Sequence, residues 1–160
     1  MQSAAVLHET ALRFDEPVRS LLKPKGHVVW STSPNATVFS AIQLMAEKKI
    51  GCLVVMSGGY LAGIVSERDY ARKVILMGRN SNDTKVREIM STPALYVTPD
   101  LTIDEAMRIM TTRRVRHLPV LEGDTVVGVL SIGDLVNWIV TSQQQTIRHL
   151  QSYIAGQYPG

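Results

Sequence analysis

Residues Gly63–Ala71 read GIVSERDYA, and Gly128–Val136, 65 positions later, read GVLSIGDLV. Each stretch has a glycine, two apolar residues and then Ser-x-x-Asp. The likeness spreads outward from there: residues 32–69 align with 97–134 at the same offset of 65, without a gap. Identities fall at Pro34/Pro99, Thr37/Thr102, Ala41/Ala106, Met45/Met110, Leu53/Leu118, Val55/Val120, Gly58/Gly123, Ser66/Ser131 and Asp69/Asp134, among others. Upstream, VRSLL at 18–22 resembles VREIM at 86–90, with KPKG making the first copy three residues longer before its strand. Self-similarity at a fixed period marks repeated supersecondary units.

Each copy predicts strand, helix, strand, strand, helix. HVVWSTSP and ALYVTPD are short extended leads. Val38, Ala41, Ile42 and Met45 then recur at helical spacing, as do Ile103, Ala106, Met107 and Met110, so each helix buries one face. CLVVM and HLPVL are apolar runs of strand length, turned by SGG and EGD into YLAGIVS and TVVGVLS, which makes two hairpins. A second helix follows each serine, ending near MGRNSND in the first copy and running to about Ile154 in the second. Each small sheet has an apolar face that one helix pair cannot cover, so the two units pack together.

Ser-x-x-Asp at a strand-to-helix junction has two readings. It is close to a capping box, in which the serine accepts a backbone N–H and the acid reaches back to the cap. The same geometry suits a nucleotide: a helix start and a hydroxyl attract phosphate, and a carboxylate one turn on can accept both ribose hydroxyls. Gly63 and Gly128 would let a flat base approach the backbone. Once, the pattern is weak; twice in register, it is much stronger.

Composition narrows the classes. At 160 residues, 45% hydrophobic and 19% charged, the chain reads as one compact unit able to bury a core unaided. Cys52 is the single cysteine, which excludes an internal disulfide and a thiolate zinc cluster and fits a reducing, cytoplasmic setting. A buried, inert thiol is its default reading. The four histidines lack metal-ligand spacing, and no apolar run is long enough to cross a bilayer. The net charge of +3 favours anionic ligands, yet the basic RRVRH run has no interleaved aromatic for base stacking, which argues against nucleic acid. Neither serine has a nucleophile elbow, so no catalytic constellation stands out.

From about residue 18 to 140 the chain resembles the tandem cystathionine-β-synthase (CBS) domain proteins in their stand-alone bacterial form. The resemblance is carried by SPNATVFSAIQLMAEKKIGCLVV, GIVSERDYARKVI, VREIMSTPALYVTPDLTIDEAMRIM and RRVRHLPVLEGDTVVGVLSIGDLV together. It implies an α/β fold of two β-α-β-β-α CBS units, packed with pseudo-twofold symmetry as one CBS pair. The divisions are an N-terminal helical extension (1–17), a first unit (18–78), a linker (79–85), a second unit (86–140) and a C-terminal helical tail (141–160). It also implies a flat homodimer and clefts for adenosine-type ligands: AMP, ADP, ATP, S-adenosylmethionine or NAD(H). No catalytic residue comes with the family.

Carried over by position, Asp69 and Asp134 match ribose-binding acids, and Ser66 and Ser131 match phosphate-side hydroxyls. Gly51-Cys52 and Arg116-His117 match the strand start that borders the adenine. The copies diverge where SERD has Arg68 and SIGD has Gly133, so the sites should be unequal, with Arg68 and Arg116 as the main phosphate cations. For Lys48, Lys49, Arg113 and Arg114, a solvated helix end is an equally good reading. AAVLHETALRF (4–14) suggests one amphipathic helix, and Ile139, Ile147, Leu150, Tyr153 and Ile154 give the tail an apolar stripe suited either to closing the module or, the favoured reading, to a dimer contact. AGQYPG should fray. The resulting expectation is a non-catalytic sensor of adenosine nucleotides acting on a protein partner in trans. Its rivals are a nucleotide-processing enzyme and a purely structural dimerisation module.

Overall fold

The computed structural model describes residues 15–22 and 28–154. The expected helix over 4–14, the KPKG insertion and the AGQYPG end lie outside the described residues, as do the side chains of Tyr153 and Ile154. A short helix α1 (Arg19–Leu22) precedes β1 (Ser31–Thr32), α2 (Val38–Lys48), β2 (Cys52–Ser57) and β3 (Tyr60–Ser66). Then come α3 (Glu67–Tyr70), which runs on as a π-helical turn (Ala71–Ile75), and a 3-10 turn (Val86–Glu88). The second half contains α4 (Ile103–Arg113), β4 (His117–Glu122), β5 (Thr125–Ser131) and α5 (Ile132–Ile154).

The repeat is visible residue by residue. Thr37 caps α2 by accepting the Ser40 N–H at 3.1 Å, and Thr102 caps α4 by accepting the Glu105 N–H at 3.2 Å. Both helices end on a cation in the left-handed region, Lys49 and Arg114, each at φ 55°, where glycine is the usual occupant. β2 and β3 pair antiparallel from Cys52↔Ser66, and β4 and β5 pair from His117↔Ser131. Each hairpin shifts register at the matching place, Val55/Met56 and Val120/Leu121. The extended leads are shorter than expected. β1 runs parallel to β2 over two residues, and in the second copy the lead is one bridge, Val97 to Val120.

Two cores result, and each borrows from the other half of the chain. Val38, Ala41, Met45, Leu53, Val55 and Val65 form the first together with Val86 and Ile89. Ile103, Ala106, Met110, Leu118, Val120 and Leu130 form the second together with Val18 and Leu21. Main-chain bonds fix the exchange: Val18 N–H to the Leu101 carbonyl at 2.8 Å, and Val86 N–H to the Ala36 carbonyl at 2.9 Å. Val18 and Val86 are both fully buried, each contributing about 1.5–3 kcal/mol by the transfer scale. The sequence division at 18–78 and 86–140 therefore follows the repeat, whereas the packing crosses it. Leu135 and Trp138 seat the first turns of α5 on the second core, and residues 143–145 and 147–151 are exposed.

Candidate functional site

The two Ser-x-x-Asp motifs sit where β3 and β5 end and a helix begins, and both form capping boxes. Ser66 N–H donates to Asp69 Oδ2 at 2.9 Å, and Asp69 N–H donates to Ser66 Oγ at 3.1 Å. Ser131 and Asp134 repeat this at 2.8 and 3.1 Å. The first helical N–H groups are engaged as well: Glu67 donates to the Gly51 carbonyl at 3.0 Å, and Ile132 to the Arg116 carbonyl at 2.9 Å. A strand start is thus tied to a helix start within each repeat, which brings Gly51-Cys52 beside Ser66-Asp69 and Arg116-His117 beside Ser131-Asp134. These helix starts are less open to phosphate than the bare motif suggests, since two N–H groups at each are already engaged.

The junctions then differ. At the first, Ser91, just after the VREIM segment, bridges to Ile64, with Ile64 N–H to the Ser91 carbonyl at 3.1 Å and the reverse bond at 2.9 Å. A methyl added to Gly63 would meet that carbonyl oxygen at 2.6 Å, so Gly63 accommodates the chain's own backbone. The expected approach of a base to Gly63 is corrected on this ground. Arg68 Nη1 donates to the Arg114 carbonyl at 3.4 Å, tying the first unit to the end of α4. Lys73 pairs with Asp69 at 3.2 Å, and the Asp69 side chain is only 15% exposed. Two cations therefore stand here, each already engaged, Arg68 by a carbonyl and Lys73 by a carboxylate.

At the second junction a cavity of about 470 Å³ opens, within the range of small-molecule sites. One wall comes from the second unit, with His117, Gly128, Val129 and Ser131. The opposite wall comes from the first, with Val28, Val29, Trp30 and Lys49–Cys52, and Leu22 of α1 completes it. Gly51, Cys52, His117 and Ser131 are thus brought together from both repeats. Asp134, which accepts the Ser131 N–H, and Arg116, exposed just before β4, adjoin the cavity's residues but do not line it. Ser66, Arg68 and Asp69 belong to the first junction and do not line this cavity. At Gly51 an added Cβ would lie 3.5 Å from His117 Cε1 and 3.8 Å from Glu67 Oε2, so the absent side chain leaves the imidazole at the cavity edge.

Leu22, the Val28–Trp30 lead, Ile50 and Val129 escaped the sequence reading, which leaves Lys49 divided between a solvated helix end and ligand contact. Trp30 carried a signal, since its counterpart 65 positions on is Leu95. Among the described residues no group of three or more His, Cys, Asp and Glu could hold a metal ion, and no helix is long and apolar enough to cross a membrane.

Comparison with known proteins matches this architecture. The family model for the CBS domain fits residues 26–75 and 86–141, one match per repeat. A CBS domain-containing protein of Arabidopsis thaliana, CBSX3, mitochondrial, is 40% identical over 138 residues, covering 83% of this chain. The chain spans 66% of that relative's length. The solved structure of a protein with CBS domains from Burkholderia ambifaria is 47% identical, with a TM-score of 0.77 over 80% of this chain and 96% of that one. The CBS domain pair of protein MJ0100, solved with 5′-methylthioadenosine and S-adenosyl-L-methionine, shares the fold at TM-score 0.71 and 19% identity, over 79% of this chain and 98% of that one. Proteins built from these domains are generally regulatory modules that bind adenosine ligands. Two matched repeats, each with its capped Ser-x-x-Asp junction, place the chain in the CBS domain family.

Proposed function

We propose that the cavity at the second junction binds an adenosine nucleotide and that the chain is a non-catalytic regulatory module. The observation that carries this is the cavity's construction. Its walls come from both repeats, so a ligand inside touches both units and can favour one relative placement of them. Signalling requires such differential affinity between two conformations. The ligands bound by the MJ0100 pair support the adenosine class. AMP is the simplest candidate, with ADP, ATP, NAD(H) and S-adenosylmethionine as alternatives.

Ser131 would face the phosphate side and Asp134 the ribose hydroxyls, with Arg116 as the cation. The first junction is the weaker site, because Arg68 would have to leave the Arg114 carbonyl and Asp69 would have to share its charge with Lys73. The output passes to a protein partner in trans through a homodimer, in a reducing compartment that suits the buried Cys52.

A thermal-shift titration with adenosine, AMP, ADP, ATP, NAD, NADH and S-adenosylmethionine tests this, with GMP as the base control. A ligand at a hundred times its dissociation constant adds about 2.7 kcal/mol, or roughly 5–11 °C for a chain of this size. Asp134→Asn retains an oxygen to accept the Ser131 N–H while removing the charge. We expect it to weaken binding at least tenfold, with stability changed by less than about 1 kcal/mol. Flat traces with every adenine compound would refute the reading and leave the junctions as capping boxes alone.

A further inference from the structure

The chain has two tryptophans, in different settings. Trp138 packs against the second core. Trp30, just before β1, keeps 39% of its surface exposed and forms part of the cavity wall. Lys48, from the last turn of α2, places its Nζ over the Trp30 ring, 4.2 Å from the centroid. Trp30 lines the cavity and Lys48 does not. The cation–π contact favours one orientation of the indole. An aromatic surface already fixed in place loses little freedom when another ring stacks on it.

We propose that Trp30, held by Lys48, is the stacking platform for the nucleobase of the ligand in this cavity. The proposal rests on the adenosine reading of the same cavity and adds the residue that grips the base. Neither serine nor aspartate of the repeated motif can do this, since they address phosphate and ribose. Stacking on an aromatic face is tolerant of base identity. Trp30 therefore contributes affinity for a base, and the choice of adenine falls to polar groups elsewhere on the wall.

The test is titration calorimetry on the full chain with AMP and with ribose 5-phosphate, which lacks the base. Trp30→Ala should weaken AMP roughly 5- to 150-fold, the span of base–aromatic stacking, and leave ribose 5-phosphate unchanged. Trp30→Phe should recover much of the AMP affinity. Lys48→Met, which keeps the aliphatic stem but removes the charge, should weaken AMP only about two- to fivefold. In the parent, AMP should perturb tryptophan emission, and Trp30→Phe should abolish that response while Trp138 still emits. Equal AMP binding by parent and Trp30→Ala overturns the platform and leaves the nucleotide reading standing. Equal weakening of AMP and ribose 5-phosphate also overturns it, because the wall would then have changed shape. A parent that binds neither AMP nor any other adenine compound overturns both, and where another adenine compound binds in place of AMP the same comparison is made with it. Should Trp30→Ala fail to fold, parent emission unmoved by bound AMP would overturn the platform.

Discussion

Gly63 and Gly128 are repeat equivalents, yet alanine at the two positions should have opposite consequences. An added methyl meets a heavy atom at 2.6 Å in both cases: the Ser91 carbonyl oxygen at Gly63 and Leu22 Cδ2 at Gly128. At Gly63 the obstacle is backbone, held by the two bonds between Ser91 and Ile64 at 3.1 and 2.9 Å. Moving it weakens both, at about 0.5–1.5 kcal/mol each. Alanine recovers about 0.4–1 kcal/mol by restricting the unfolded chain, so the net cost is about 1–2 kcal/mol. That lowers the unfolding midpoint by roughly 2–8 °C. At Gly128 the obstacle is the end of a flexible side chain, which can rotate, so stability should stay within about 0.5 kcal/mol of the parent. Gly128 and Leu22 both line the cavity, however, and the displaced leucine narrows it. AMP affinity should fall roughly tenfold in Gly128→Ala, equivalent to about 1.4 kcal/mol, and change little in Gly63→Ala. Urea unfolding and calorimetric titration of both variants measure the two effects. Equal stability losses, or a Gly128→Ala variant that is the less stable of the pair, would refute the reasoning.

Two further outcomes follow from geometry outside the cavity. Arg114→Gly relieves a left-handed φ of 55° while keeping the carbonyl that Arg68 uses, so it should raise stability by about 0.5–1 kcal/mol in urea; a loss would show that the Arg114 side chain matters more than its backbone. Glu88 has its carboxyl held below the usual carboxylate range by the Lys85 backbone N–H at 2.6 Å and the Arg79 guanidinium at 2.6 Å. Its folded-state value is depressed, so its contribution is present above the unfolded value and is lost as pH falls through the folded one. The unfolding midpoint of Glu88→Gln should therefore fall less steeply than the parent's between about pH 6 and 3, and superimposable profiles would contradict this.

The two capped junctions were legible because they are local. Ser66-Asp69 and Ser131-Asp134 declare themselves by spacing, and the hairpins that deliver them follow from alternating apolar residues and turn glycines. Arg68 against Gly133 announced unequal junctions, although the structural cause lies more in Ser91. That residue directly follows VREIM in the second unit, and nothing in its neighbours tells that it will pair with Ile64. The partners of VRSLL and VREIM were hidden for a similar reason. Their matching sequences say that they do the same job without saying in which core, since a buried valine reads alike in either. Trp30 precedes its strand by one residue and matters through Lys48, eighteen positions on, a contact that neither helical nor strand periodicity encodes.

The exchange of those two segments reaches beyond packing. Cut between residues 79 and 85, the chain would yield two fragments, each retaining a hairpin and its helices but missing the plug for its own core and carrying the plug for its neighbour's. Neither half is then a self-sufficient folding unit, and opening one core strips buried surface from both. Loss of structure should propagate across the whole pair in one step. Leu22 ends the first plug and also forms part of the cavity wall. A molecule lodged there would press directly on the latch that joins the halves, so occupancy of a single cleft would be felt by the entire chain.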